Sequence, residues 1–243
     1  MSPTKIDIQC LEYYLFDYPN ETEKELLLYN LINGFHTGLA YIPSESYICK
    51  NLQSCKKWPE VVTDLMQQEV EKGYVIGPFN NIPFPVYRIN PLGIVEGKYP
   101  PKKKRLIMDM SAPHNIAEVP SLNDLIDKED FSLSYVKLDD AIRIITEFGE
   151  NTFLIKTDMT DAFKQLGVHE SIWPMQGVQW NKQYYFFTRL VFGSRSSPKI
   201  FDQLASMICW ILESILPTVP VLHLLDDFLV LVPPHRGDSE DIK

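Results

Sequence analysis

Two adjacent aspartates, Asp226 and Asp227, interrupt an otherwise apolar stretch at residues 222–232, "LHLLDDFLVLV". Like charges this close repel unless a cation, a proton or a hydrogen-bond donor compensates them. A divalent metal is the natural compensation, and magnesium favours carboxylate oxygens. The flanking β-type runs are separated by two residues, which is hairpin spacing, so the aspartates are expected at the turn. Asp-Asp is not the Asn-Gly or Asp-Gly that a relaxed tight turn prefers, and function is one reason to accept poor turn chemistry. One hairpin offers too few ligands for two ions. A further carboxylate is available in "FLIKTDMTDAF", residues 153–163, where Asp158 ends an apolar strand and Asp161 follows three residues later. Two metals held about 3.5–4 Å apart by such a set would activate an attacking hydroxyl and stabilise a leaving pyrophosphate. The plain alternatives are a solvated turn for the aspartate pair and a helix N-cap for Asp158.

The elements that must position these residues are read from hydrophobic period and punctuation. Leu26, Leu27, Tyr29, Leu31 and Ile32 follow helical spacing, with Gly34 as the stop. A second helix is expected from an N-cap near Thr63 or Asp64 to Gly73. A proline-rich connector, 78–91, must be extended or turning. "LGIVEG" and "KRLIMDMS" read as a hairpin over 92–108 with a positively charged tip. Residues 119–148 look mainly helical, "NTFLIKTD" is a strand, and "AFKQLGV" is a short helix or a turn of one. Two strands are expected around an Asn181-Lys182 turn. A long helix runs from Ser197 as cap, with Pro198 at its first position, to Pro217.

The chain has 243 residues, 45% of them hydrophobic and 23% charged, as in an ordinary globular protein. Its longest apolar runs fall far below the roughly 20 residues that span a bilayer, so no membrane segment is expected. The four cysteines, Cys10, Cys49, Cys55 and Cys209, form no CxxC pair. They read as reduced thiols of an intracellular protein, cytoplasmic or nuclear. A net charge of −9 argues against a nucleic-acid partner only until its distribution is seen. Residues 98–105, "KYPPKKKR", carry five positive charges and no negative one, and a local basic strip decides a phosphate contact more than the whole-chain sum does.

Taken together, "KGYVIGPF", "NPLGIV", "KKRLIMDMS", "SLNDLI", "FLIKTDMTDAF", "TRLVFGSRSSPKIF" and "HLLDDFLV" stand in the order and spacing of a reverse transcriptase, through fingers and palm. The sequence most resembles the enzymes of DIRS-type tyrosine-recombinase retrotransposons, over roughly residues 64–232. The resemblance implies that Asp158 and Asp226 are the principal metal ligands, with Asp227 as third carboxylate and the Met159 carbonyl as a minor ligand. It implies two Mg2+ ions, with Mn2+ as the alternative. It places Arg105 on the triphosphate, with Lys102, Lys103 and Lys104 sharing that role and Lys98 a poorer candidate. The backbone amides of Asp161 and Ala162 would meet the incoming phosphates. Phe163 would gate the ribose 2′-hydroxyl, and Phe192 and Gly193 would pack near base and sugar. A surface strand arginine, a solvated basic turn, a core aromatic and a simple turn glycine are the plain alternatives for these residues. Two departures stand out. Leu224 precedes Leu225 where many relatives have an aromatic residue, and Ser111 stands where several retroelement families put an arginine.

The fold implied is α+β, a right-hand polymerase with an antiparallel palm sheet (the Asp158 strand and the 221–232 hairpin) backed by helices including 198–216. Residues 1–63 would be an N-terminal extension of unread role, 64–150 the fingers and 151–243 an incomplete palm. The chain ends eleven residues after Val232, before the family's later palm strands, thumb and ribonuclease H domain, so a fragment with weak processive synthesis is expected. Its partners would be dNTPs and an RNA or DNA template with primer, with no membrane. The competing readings are a catalytically inactive remnant kept as a nucleic-acid or protein binding module, and a two-metal nuclease. The latter gains little, because Arg105, Phe163 and Phe192 suit a nucleoside triphosphate better than a scissile strand.

Overall fold

A computed structural model describes residues 4–99, 102–114, 116 and 118–234. In chain order, α1 (Ile8–Tyr14) is capped by the Asp7 carboxylate, which accepts from the Cys10 amide at 3.0 Å. In α2 (Glu21–Asn33) the first turn is held by Asn20, whose side chain accepts from the Glu23 amide, and Gly34 at φ +88° ends the helix. There follow β1 (Tyr47–Ile48), α3 (Gln53–Lys57), α4 (Pro59–Glu71), β2 (Val75–Phe79), β3 (Arg88–Ile89), β4 (Leu92–Glu96) and β5 (Lys104–Met108). The second half holds α5 (Leu138–Phe148), β6 (Phe153–Asp158), β7 (Gly177–Trp180), β8 (Gln183–Phe187), α6 (Ser197–Ile215), β9 (Val221–Leu224) and β10 (Asp227–Val232). It is a mixed α and β protein.

The chain divides into two compact units, neither contiguous in sequence. The first comprises 1–6, 29–131 and 163–198. It contains a five-stranded sheet in the order β1-β3-β7-β8-β2 and the separate antiparallel hairpin β4-β5. The β7–β8 turn is made by Asn181 and Lys182, both at positive φ (48° and 64°), the conformation a tight hairpin turn demands. Val62, Met66, Leu92, Met108, Leu122, Val178 and Phe187 belong to one buried cluster. The second unit comprises 7–28, 132–162 and 199–243. Its antiparallel sheet has the order β6-β10-β9, so among the described residues β10 is central and β6 lies at an edge. Glu213 of α6 accepts from the Val221 amide at 3.0 Å, tying that helix to the start of β9.

Four sequence expectations need correction. The helix expected from Thr63 or Asp64 begins at Pro59, because proline at the first helical position sets the start. Thr63 is inside it, donating to the Pro59 carbonyl and accepting from the Trp180 indole. Ser197 does not cap α6 with its side chain; its hydroxyl donates to the Val191 carbonyl at 2.8 Å. Residues 119–148 are helical only in α5 and in one 3-10 turn, Asn123–Leu125. There Ser121 and Asp124 bond each other's backbone amides, a local turn that competes with helix. Finally, the β9–β10 turn consists of Leu225 and Asp226, while Asp227 already belongs to β10. In the 92–108 hairpin the strand pairing is as expected, and Pro100 and Pro101 of its tip lie outside the described residues.

Candidate active site

β6 pairs with β10 in a register that sets Asp158 opposite Asp227, Lys156 opposite Leu229 and Phe153 opposite Val232. Residues directly opposed in an antiparallel pair project from the same face, with Cβ atoms about 4.5–5.5 Å apart. The strand period of two puts Lys156 on that face as well. Asp226 stands one residue before, in the turn, and its carbonyl accepts the Met159 amide at 3.0 Å. The fold thus sets the backbones of Asp158 and Met159 beside those of Asp226 and Asp227, although Asp158 and Asp226 stand 68 residues apart in sequence (158 to 226). The turn is strained: Leu225 has φ +54°, at a first central position that ordinarily wants glycine.

Opposed carboxylates repel, and the structure supplies its own partial answer. Lys156 Nζ lies 3.0 Å from Asp227 Oδ1, with both side chains well exposed. Three carboxylates and a backbone carbonyl are hard-oxygen groups, the chemical kind that magnesium takes, and one of them, Asp227, is engaged by the Lys156 ammonium. Among the described residues, however, no three His, Cys, Asp or Glu side chains are gathered closely enough to hold a metal. The residues fit in chemical kind, and their side chains would have to regroup to share one ion. Asp161, at φ +55°, turns the chain out of β6, and Ala162 is buried at the start of a 3-10 turn, Ala162–Gln165.

The residues expected at the nucleotide lie in the other unit, apart from Asp161 and Ala162. Arg105 is exposed on β5 opposite Val95, and Lys102 and Lys103 are exposed just before the strand. Lys104 faces the other way, 3.6 Å from Glu96 and above the Trp58 ring. Phe163 is buried and packs on Phe192, with centroids 4.7 Å apart and planes at 35°, whereas Phe192 is 60% exposed. Gly193 is required by close approach, since a Cβ there would fall 1.9 Å from the Met108 carbonyl oxygen. The cavity bordered by Phe192, Leu106, Met108 and Lys164 measures about 20 Å3, room for about one water and no nucleotide.

Two features were not singled out from sequence. Lys156 was readable from the same period of two that orients Asp158. Asn123 carried no signal. It fixes the Gly193 loop by donating to the Ser111 hydroxyl (2.8 Å) and the Gly193 carbonyl (2.9 Å) and accepting from the Arg195 amide (2.8 Å), while Arg195 returns a bond to the Asn123 carbonyl.

No protein-family model and no curated protein matches the chain. Among solved structures, the crystal structure of the prototype foamy virus protease-reverse transcriptase, a selenomethionine-labelled CSH mutant, is similar in fold. The match has a TM-score of 0.53 at 14% identity and covers 95% of this chain and 30% of that one. The chain has a reverse-transcriptase-like fold. It spans less than a third of the solved protein, and no described helix is long and apolar enough to cross a membrane.

A second polar cluster in the carboxylate-bearing unit, Asp202, Ser206 and His223, borders a cavity of about 250 Å3. It is not a nucleophile–base–acid relay. Ser206 Oγ (3.4 Å) and Asp202 Oδ1 (3.9 Å) both approach the same imidazole nitrogen, Nε2, whereas a relay needs one partner on each nitrogen.

Proposed function

We propose that this chain is the fingers-and-palm core of an RNA-directed DNA polymerase, of a retroelement closest to the DIRS-type tyrosine-recombinase retrotransposons. It would add dNTPs to a primer paired with an RNA or DNA template. The observation that carries this reading is the register of β6 and β10, which sets Asp158 against Asp227 and beside Asp226 at the strand ends. When bound, two Mg2+ ions (or Mn2+) would polarise the primer hydroxyl and neutralise the departing pyrophosphate. Asp158 and Asp226 would be their main holders, with the Met159 carbonyl and Asp227 in support. Lys156 restrains Asp227 through their ion pair and offsets part of the charge of the face. Arg105, Lys102 and Lys103 would bind the triphosphate, and the amides of Asp161 and Ala162 its phosphate oxygens. The ring of Phe163 would crowd a 2′-hydroxyl, with Phe192 and Gly193 against base and sugar. A thumb and a ribonuclease H region would complete the duplex grip, since affinity for nucleic acid grows with phosphate contacts.

Primer extension by the chain joined to a thumb sequence tests the assignment. Asp158→Ala and Asp226→Ala should each lower the rate at least about 1,000-fold, around 4 kcal/mol of barrier. Extension retained in either variant would refute it. The inactive binding module is a second reading, favoured by two observations: the carboxylates are not gathered around a common point, and Lys156 already engages Asp227. Calorimetric titration with magnesium separates the two, because an inert remnant has no need of a saturable low-millimolar site.

A further inference from the structure

Helix α1 poses a physical problem independent of the carboxylates. It has seven residues and not one of them is buried. Isolated helices shorter than about 12–15 residues are marginal in water, so such a helix persists by packing. Ile8 and Leu11, both half-buried, and the fully buried Leu15 anchor one side. The other side carries Tyr13 (77% exposed), Tyr14 (46%) and, just past the helix, Phe16 (78%). Together with Asp17 and with Trp210 and Ser214 of α6, they border an open groove of about 570 Å3 within one compact unit. Its walls are ordered ring on ring. Tyr13 meets Tyr14 edge to face at 5.4 Å, and Trp210 meets Tyr18 in the same way at 5.3 Å. Contiguous exposed aromatics of this kind mark interaction sites, and Tyr and Trp dominate the residues that bind most strongly there.

Charge selects the occupant. Residues 7–28 contain six acidic side chains, Asp7, Glu12, Asp17, Glu21, Glu23 and Glu25, and a single basic one. That one, Lys24, is held by Glu21 at 2.6 Å. The rings alone would suit stacked bases, but Asp17 in the groove lining and the acidic balance of residues 7–28 oppose a phosphate backbone. A second copy of the same face would set carboxylates against carboxylates. A basic polypeptide meets both features at once, because an arginine guanidinium stacks on tyrosine and tryptophan faces and pairs bidentately with a carboxylate such as Asp17. We infer that the Tyr13–Phe16–Trp210 groove is a docking site for an arginine-bearing basic polypeptide segment supplied in trans.

Fluorescence anisotropy of a labelled twelve-residue arginine–leucine repeat peptide, titrated with the full chain, tests this. Saturable binding is expected, weakened about tenfold or more in the Tyr13→Ser/Phe16→Ser double variant, as for removal of central aromatic anchors. That variant keeps every charge, so attraction to the acidic surface alone would leave binding unchanged and overturn the inference. Asp17→Asn should weaken binding about threefold and reduce its salt dependence. Both altered rings are exposed, so the melting temperature should not move; if it does, Tyr13→Ser alone and Asp17→Asn carry the test. Displacement of the peptide by a dT oligonucleotide, or self-association on sedimentation that the double variant abolishes, would also overturn it. None of these readouts depends on polymerase activity.

Discussion

Strands β8 and β6 both contain aromatic and apolar runs in sequence, "QYYFF" and "FLIKTD", and the fold treats them in opposite ways. β8 lies between β7 and β2, and its Tyr185, Phe186 and Phe187 are buried, Phe186 completely. Among the described residues β6 has a neighbour on one side only, and all six of its residues are exposed, Phe153 and Leu154 by about half. The first is scaffold. The second is exposed along its length and carries two charges, Lys156 and Asp158, on one face. The same strand that contributes least to the core therefore carries the carboxylate on which the proposed chemistry depends.

The largest expected effect sharpens that division. Asp158→Ala should remove at least about 1,000-fold of primer extension while leaving the denaturation midpoint where it was. Next, Phe186→Ala should cost about 3–5 kcal/mol in urea unfolding, whereas Leu154→Ala should cost no more than about 0.5 kcal/mol. Similar losses in the two would break the comparison. A smaller effect is expected at the strained turn beside Asp226. Leu225→Gly should stabilise the chain by about 1 kcal/mol, because glycine occupies the left-handed region without steric penalty; no gain in urea would argue that the strain is relieved otherwise.

Thiol labelling reads the same contrast between buried and open regions. Burial pushes the Cys55 thiol up to about 11, and burial with Glu213 and Asp202 nearby pushes Cys209 up to about 12. At pH 7.5 a disulfide reagent should therefore modify exposed Cys10 at once and reach Cys55 and Cys209 only in denaturant. The smallest effect concerns Asp124. Donation from the Ser121 hydroxyl (2.7 Å) and amide (3.1 Å) holds its carboxyl below the usual carboxylate range. With the folded pKa depressed, the stabilisation is present above the unfolded value of about 3.9 and is lost as pH falls through the lower folded one. Unfolding midpoints at pH 6 and pH 3 should thus differ less in Ser121→Ala than in the parent chain.

What was legible in the sequence was local. Asn181-Lys182 accept positive φ and so specify a tight turn between two β runs; Pro198 in the first turn and Pro217 past the end bracket α6; Gly34 ends α2. The pairing of the Asp158 strand with the Asp226–Asp227 hairpin was legible too, because one hairpin offers too few ligands for two ions and Asp158 ends an apolar strand. Residues 119–137 misled, since their apolar spacing suits a helix while Ser121, Asn123 and Asp124 spend their side chains on backbone groups of a turn and a distant loop.

By itself, then, the sequence determined which residue types stand at strand ends and turns, since backbone preference and side-chain period act over a few neighbours. Only the tertiary structure decided that β6 is exposed along its length, that Lys156 reaches Asp227, and that each compact unit draws on separated segments. Those outcomes depend on which surfaces meet after the chain returns from far along its length, and no local pattern encodes that meeting.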